Sequence, residues 1–204
     1  MPIVASKKIS MDPIPEGVYL AVCTRVIDLG DQYSVKFGNT SHKVMICWEI
    51  PEITFEKDGM LLPRMISKEY SLSLGNKSIL RAHLESWRGR AFSDLELSGF
   101  DLRHVLGAAC QIQIIHSESG YERVSSIMSI PKGIQKPAPM TDTIYFDLSD
   151  INCLDIFEKL PEWVRDKIKT SPQYDQLVAY RSGEIEPSDE FIELDDEDAG
   201  QLPF

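Results

Sequence analysis

The stretch Val18-Tyr19-Leu20-Ala21-Val22-Cys23-Thr24-Arg25-Val26-Ile27 decides the fold. It is rich in β-branched and aromatic residues, which favour β-strands. Leu29-Gly30-Asp31 predicts a turn after this strand, and residues 32–37 resume the alternation of a strand. The N-terminal part of the chain is therefore predicted to be β-structure.

Two further strands are predicted downstream. The first covers residues 43–50 and is expected to end at Pro51, because proline cannot donate to a strand ladder. Residues 51–64 are predicted to be a polar loop, and residues 65–74 form the third strand, with Ile66, Lys68, Tyr70 and Leu72 on one face. In the strand over 43–50, one face carries Val44, Ile46, Trp48 and Ile50, and the opposite face carries Lys43, Met45, Cys47 and Glu49.

The periodicity then changes to that of a helix over residues 77–88. Asn76 is predicted to cap the start of this helix and Gly89 to end it. The stripe at helical spacing consists of Leu80, Leu84 and Trp87, and we expect it to be core.

Two short helical turns follow. Ser93 and Glu96 have the spacing of a capping box, and Asp101 is predicted to cap a turn over residues 102–106. Strands over 110–116 and 121–130 come next. Helices are then predicted over 151–159, over 161–169 and from Ser171 to about residue 180.

Three strands, one helix and two strands are the element order of the OB-fold, a small five-stranded Greek-key barrel. We therefore predict a mainly β protein with an OB-fold barrel, one helix between strands 3 and 4, C-terminal helices and a disordered acidic tail. The expected organisation is a flexible lead-in over 1–16, an OB-fold DNA-binding domain over 17–131, a linker with helices over 132–183, and the tail over 184–204.

The charge is distributed unevenly along the 204 residues. The net charge is -11, and residues 184–204 contribute nine acidic residues and no basic residue, which leaves -2 for the rest. A nearly neutral body is compatible with a local basic surface. The chain has neither an apolar run of about 20 residues nor a secretory signal. With four scattered cysteines, we expect buried, reduced thiols in a cytoplasmic protein that does not bind membranes.

The chain lacks the short motifs of P-loop, dinucleotide-binding, zinc-protease and serine-hydrolase enzymes. We expect no catalytic residue, metal or cofactor. Cys110 and His116 share a strand face, which is more typical of a core thiol beside an edge histidine than of a metal site. Asp94, Glu96 and Asp101 suggest a metal-dependent nuclease, although helix capping explains the same three residues more simply.

Basic and aromatic residues are interleaved on the predicted barrel. Single-strand binders combine cations that contact phosphates with aromatic rings that stack on bases. Trp48 and Trp87 are interpreted as core, Tyr70 shares a face with both apolar and basic residues, and Arg88 and Arg90 also suit a helix C-terminus. The predicted DNA-binding residues are Tyr33, Lys36, Lys43, Lys68, Tyr70, Arg88, Arg90 and Arg123.

The tail has an acidic run that is followed by an apolar ending. In a docking peptide of this kind, the ring fills a pocket, the α-carboxylate pairs with an arginine and the acidic residues meet a basic rim. The residues predicted to bind a partner are Asp195, Asp196, Glu197, Asp198, Leu202, Pro203 and Phe204.

This tail resembles the C-terminal tip of bacterial single-stranded DNA-binding proteins, which ends in Asp-Ile-Pro-Phe. Pro203 and Phe204 match it, Leu202 replaces the isoleucine and Gln201 replaces the aspartate. Over about residues 15–180 the body resembles a family of tailed-phage single-stranded DNA-binding proteins. That resemblance implies an OB-fold core and sequence-independent single-strand binding. It rests on the segments 70–74, 80–81, 84–92, 99–102, 106–107 and 161–171 and on His116.

Together these features predict a phage-encoded, non-enzymatic single-stranded DNA-binding protein of the host cytoplasm. It would coat DNA during replication or recombination and recruit replication or recombination proteins through its tail. The alternatives are a protein-interaction module of the same machinery and a metal-dependent nuclease.

Overall fold

The computed structural model describes residues 12–184. Within this range the chain is mainly β, as predicted, and one sheet has the strand order β3-β2-β1-β4-β5, with β6 beside β1. The strands are β1 (Gly17–Ser34), β2 (Asn39–Lys57), β3 (Met60–Ser71), β4 (Ala109–His116), β5 (Glu122–Met128) and β6 (Ile144–Phe146). The helices are α1 (Ile79–Arg88), α2 (Asp94–Ser98), α3 (Leu154–Phe157), α4 (Glu162–Ile168) and α5 (Pro172–Arg181), with a 3-10 turn at Leu102–Val105.

Strand β1 organises the sheet because three strands pair with it. Its residues 17–22 pair antiparallel with β4, and the strand from Val22 onward pairs antiparallel with β2. Residues 25–27 pair parallel with β6, which was not predicted. The short strand β6 therefore lies beside β1 just beyond the point where the pairing with β4 ends.

The predicted turn at Leu29-Gly30-Asp31 is wrong, because β1 continues through it to Ser34. The ladder with β2 has an irregularity between Asp28 and Gly30, and Gly30 has a φ of 65°. A Cβ on Gly30 would lie 2.5 Å from the Cβ of Ser171, so both backbone angle and space require glycine there. The residue acts as a bulge in a long strand.

The predicted end of a strand at Pro51 and the predicted loop over 51–64 are also wrong. Strand β2 runs on to Lys57, and β3 begins at Met60. The register between β2 and β3 shifts between Ile50 and Thr54. Pro51 lies in that irregular stretch, where its missing N–H removes no ladder hydrogen bond.

Helix α1 confirms the predicted apolar stripe and corrects the predicted cap. Ser78, rather than Asn76, caps the helix, since the Ser78 hydroxyl accepts a hydrogen bond from the Arg81 amide at 3.2 Å. Gly89 ends the helix in the left-handed conformation with a φ of 69°, as predicted. The three residues of the stripe, Leu80, Leu84 and Trp87, are buried.

Two apolar clusters lie on opposite faces of the sheet. The inner cluster includes Trp48, Ile66 and Leu84. The outer cluster joins β1 and β2 to the C-terminal segment, and both faces of β2 are consequently buried. Its residues are Ile27, Leu29, Met45, Cys47, Phe146, Leu148, Cys153, Phe157, Leu160, Val164, Ile168 and Leu177.

Glu49 fixes the segment that leads into β6. Its fully buried carboxylate accepts hydrogen bonds from the Met140 amide, from the Thr141 amide at 3.3 Å and from the Thr141 hydroxyl at 2.7 Å. These bonds satisfy a buried polar group whose partners lie far along the chain. The outer face of β2 is thus covered by polar as well as apolar contacts.

The C-terminal helices α3, α4 and α5 correspond to the three predicted helices, although α3 is much shorter than predicted. No helix among residues 12–184 is long and apolar enough to cross a membrane. Cys23, Cys47, Cys110 and Cys153 are free and buried, as predicted, and burial raises the pKa of the Cys47 thiol to about 12.

Candidate nucleic-acid interface

A cleft of about 630 Å³ lies along β3 and the loop that connects β3 to α1. Three lysines from three different elements line it: Lys43 from β2, Lys68 from β3 and Lys77 from the loop. We call this surface the lysine cleft. Three ammonium groups around one concave surface attract a polyanion.

Lys68 is the most constrained cation of the lysine cleft. Its side chain is half-buried, and its Nζ donates a hydrogen bond to the carbonyl oxygen of Val124 on β5 at 2.5 Å. Burial lowers the pKa of Lys68, and the neighbouring Arg123 guanidinium lowers it further. The exposed Arg123 therefore adds a fourth positive charge beside the cleft.

The other charges of the cleft leave it positive. The Lys43 Nζ donates to the Ser71 hydroxyl at 2.7 Å, a neutral partner that does not cancel its charge. Glu69 also lines the cleft, but both of its carboxylate oxygens are bound by Lys167 of α4. The negative charge of Glu69 is consequently offset by a lysine from the C-terminal segment.

The turn between β1 and β2 exposes aromatic and apolar side chains. Val35 is 87% exposed and Phe37 is 73% exposed, and Tyr33 is exposed beside them. The Nζ of Lys36 lies 5.4 Å from the centre of the Phe37 ring. We call residues 33–37 the hairpin tip. It is at the same end of β2 as Lys43, roughly 13 Å away at the rise of about 3.3 Å per strand residue.

The structure thus brings together several of the predicted residues. Lys43, Lys68 and Arg123 surround the lysine cleft, and Tyr33 and Lys36 lie on the hairpin tip. Lys77 was missed because the predicted helix started too early and placed it on a polar helix face. The signal that locates it is Ser78, which caps the helix one residue later.

Tyr70, which is predicted to stack on a base, is buried in the structure. The side chain is 4% exposed and belongs to the inner cluster. Its hydroxyl is hydrogen-bonded to Nδ1 of His83 at 2.9 Å. Burial and the Lys68 charge lower the pKa of His83 to about 4, so the imidazole is neutral near pH 7. The ring of Tyr70 forms the floor beneath Lys68 and does not offer a face to a base.

Arg88, which is predicted to contact phosphate, is buried as well. Its side chain is 3% exposed, and the guanidinium carbon lies 4.5 Å from the centre of the Phe92 ring. Arg88 also pairs with Glu96, and Arg90 pairs with the same carboxylate at 3.0 Å. This cluster is at the C-terminal end of α1, roughly 15 Å along the helix from the lysine cleft.

The three acidic residues of the nuclease hypothesis lie in the capping segment. Ser93 and Glu96 form the predicted capping box, and the Asp101 carboxylate accepts from the Arg103 amide at 2.7 Å, as predicted. The Ser93 amide, and then Arg88, lower the pKa of Glu96 to about 2. Among residues 12–184 there is no group of three or more His, Cys, Asp or Glu side chains that could hold a metal ion.

Cys110 and His116 do not form a site together. Cys110 is fully buried in the inner cluster, and the ring of His116 is hydrogen-bonded at 2.7 Å to the backbone oxygen of Ile14. This arrangement is the core thiol and edge histidine that the sequence favoured.

The predicted partner-binding residues 195–204 lie outside the residues that the structure describes. Comparison of the chain with protein families found no match, and a search of curated proteins found none. The resemblance to phage single-stranded DNA-binding proteins therefore stays a prediction.

Proposed function

We propose that the protein binds single-stranded DNA without sequence preference and without catalysis, and coats DNA exposed during phage replication or recombination. The observation that carries this proposal is the lysine cleft with Lys43, Lys68 and Lys77, close to an exposed aromatic tip. The lysines would contact phosphates, and Tyr33 and Phe37 would stack on bases, which requires the bases to be unpaired.

The topology supports an OB-type barrel as the framework of this interface. In the order β3-β2-β1-β4-β5, the two terminal strands approach each other, and contacts between Lys68 and Val124 and between Arg64 and Glu122 connect them. Small barrels of this type bind single strands across strands 2 and 3 and adjoining loops. Here the outer face of β2 is occupied by the C-terminal segment, which leaves the cleft along β3 and the hairpin tip as the accessible part.

The test is a titration of labelled oligo(dT) followed by fluorescence anisotropy, with unlabelled duplex and single-stranded competitors. We expect single strands of different sequence to compete equally and duplex to compete poorly. Phe37→Ala should weaken binding without changing its salt dependence, because stacking releases no counterions. Leu95→Ala removes another exposed apolar side chain elsewhere on the surface and serves as the control. Preferred competition by duplex would contradict the proposal.

A second candidate, a protein-interaction module, is favoured by the apolar character of the hairpin tip. Val35 and Phe37 would suit a pocket on another protein as well as a base. If oligo(dT) does not bind while the Phe37→Ala variant loses a replication or recombination protein in a pull-down, this second function is the correct one.

We further propose that residues 195–204 recruit replication or recombination proteins. Deletion of Phe204 keeps every acidic side chain of the tail. It should abolish recovery of the partner while the affinity for oligo(dT) is unchanged. Equal recovery of partner proteins by the full-length and shortened chains would contradict this role.

A further inference from the structure

Strands β3 and β5 face each other but are joined by side chains. They are the two ends of the strand order, and no backbone ladder connects them in the described part of the chain. Arg64 pairs with Glu122 at 3.0 Å, and Lys68 donates to the Val124 carbonyl at 2.5 Å. We call this boundary between β3 and β5 the seam.

Helix α1 adds a third connection across the seam. His83 is hydrogen-bonded to the Tyr70 hydroxyl of β3, and its ring lies near the backbone of Ser125 on β5, which acts to raise the pKa of His83. Three contacts therefore hold the seam together. Arg64 and Glu122 carry opposite charges, and the contacts of His83 are between neutral groups. The contact of Lys68 differs from both, because an ammonium group donates to an uncharged carbonyl oxygen.

Lys68 belongs to the seam and to the lysine cleft at the same time. It lines the cleft with Lys43 and Lys77, while its Nζ reaches across to Val124. An ammonium group has three N–H donors, so it can hold the carbonyl and a phosphate oxygen together.

Neighbouring positive charges repel the Lys68 ammonium group at the place where it contacts Val124. Arg123 lies beside it, and the other two lysines line the same cleft. Repulsion between like charges and partial burial both disfavour a charged ammonium at this place. A phosphate in the cleft would offset that repulsion, so the Lys68 ammonium would be held against the Val124 carbonyl at a lower electrostatic cost.

We propose that a phosphodiester bound in the lysine cleft tightens the seam through Lys68, so that occupation of the cleft by single-stranded DNA rigidifies β5. This inference rests on the proposed function. It assigns Lys68 two roles, contact with the ligand and closure of the seam. Lys43 has the first role alone, because it lies on β2 and its partner Ser71 lies on the neighbouring strand β3, so that their contact does not reach β5.

The experiment compares hydrogen exchange of the backbone amides of β5 with and without oligo(dT), at concentrations that anisotropy shows to be saturating. In the wild-type chain, exchange across residues 122–128 should slow by about tenfold on binding, as one strengthened charge-assisted contact allows. Lys68→Met and Lys43→Met are the matched variants, since each removes one positive charge from the same cleft.

Both variants should bind oligo(dT) more weakly. Without ligand, Lys68→Met should exchange faster than wild type across β5, and Lys43→Met should not. At saturation, Lys43→Met should still gain protection in β5, and Lys68→Met should gain none.

Equal protection of β5 in saturated Lys68→Met and wild type would overturn the coupling and leave the proposed function intact. Absence of oligo(dT) binding in the wild-type chain would overturn both, and anisotropy alone reports that outcome. A Lys68→Met chain that fails to fold, as judged by circular dichroism, is replaced by Lys68→Gln, to which the same criteria apply.

Discussion

Substitution of Lys77 by methionine tests the lysine cleft with the least disturbance to the fold. Lys77 is exposed and precedes the cap of α1, so its removal leaves the helix and both apolar clusters unchanged. Each phosphate neutralised on a single strand contributes about -0.7 to the slope of log K against log salt. Lys43, Lys68, Lys77 and Arg123 acting together predict a slope of about -2.8, and the Lys77→Met variant about -2.1.

These slopes translate into measurable losses of affinity. Between about 50 and 200 mM salt, a slope of about -2.8 weakens binding roughly 50-fold, and one of about -2.1 weakens it roughly 18-fold. Anisotropy titrations with oligo(dT) at four or more salt concentrations resolve that difference. The control is Lys132→Met, which removes an exposed lysine of the segment between β5 and β6 and should leave the slope unchanged.

Two results would refute the reasoning. If Lys77→Met and Lys132→Met flatten the slope equally, binding depends on net charge and not on the cleft. If the wild-type slope is near zero, phosphates are not the ligands at all.

Three further predictions concern the fold. The hydrogen bond to Asp28 raises the pKa of His42, and nearby carboxylates add to this effect while burial opposes it. The charged imidazole therefore stabilises the fold fully below the usual pKa of about 6.5, and this stabilisation is lost as pH rises through the raised pKa. The difference in Tm between wild type and His42→Gln should therefore shrink from about pH 6 to about pH 9, and a constant difference would contradict it. Glu49→Ala leaves the half-buried Thr141 amide and hydroxyl without their acceptor, which should cost about 1–3 kcal/mol in urea denaturation and speed proteolysis near residues 131–141. Leu84→Ala should cost about 2–5 kcal/mol by the same assay, and a loss below 1 kcal/mol would mean that α1 does not pack as described.

Local signals in the sequence predicted local structure well. Ser93 and Glu96 form their capping box because the interaction spans three residues, and Gly89 ends α1 because the left-handed conformation favours glycine. Trp48 is buried, as the alternation of β2 predicted. Each of these outcomes depends on neighbours in the sequence, which a single chain displays directly.

The predictions of structure and burial failed where contacts with distant segments of the chain determine the conformation. Gly30 resembles a turn residue, yet its conformation fits a bulge against Ser171 from the C-terminal segment. Met45 and Cys47 alternate with core residues as a solvent-facing row would, and only the C-terminal helices show that this row is buried too. Tyr70 was ambiguous because its face carries both Ile66 and Lys68, and the partner that settles its position, His83, is on another element.

The candidate site also depends on contacts between distant segments, which the sequence alone does not show. Lys43 and Lys68 were predicted from charge and alternation, but their convergence on one cleft with Lys77 depends on the register of β2 with β3 and on the course of the loop after β3. Arg88 was predicted to be available to phosphate, and nothing in its immediate sequence shows that Phe92 and Glu96 enclose it. Whether a lysine or arginine is available to a ligand depends on the side chains that surround it in the fold, and composition does not show these neighbours.

The two halves of the outer apolar cluster leave the ribosome at different times, because β1 and β2 precede α3, α4 and α5 in the chain. On the ribosome, β1 and β2 emerge early and can form their hairpin, but Leu29 and Met45 remain uncovered until α3, α4 and α5 have been translated. A nascent chain that stalls after β5 would present this apolar strip to chaperones or to other nascent chains. Burial of the outer face of β1 and β2 in the cell is therefore tied to translation of the C-terminal segment.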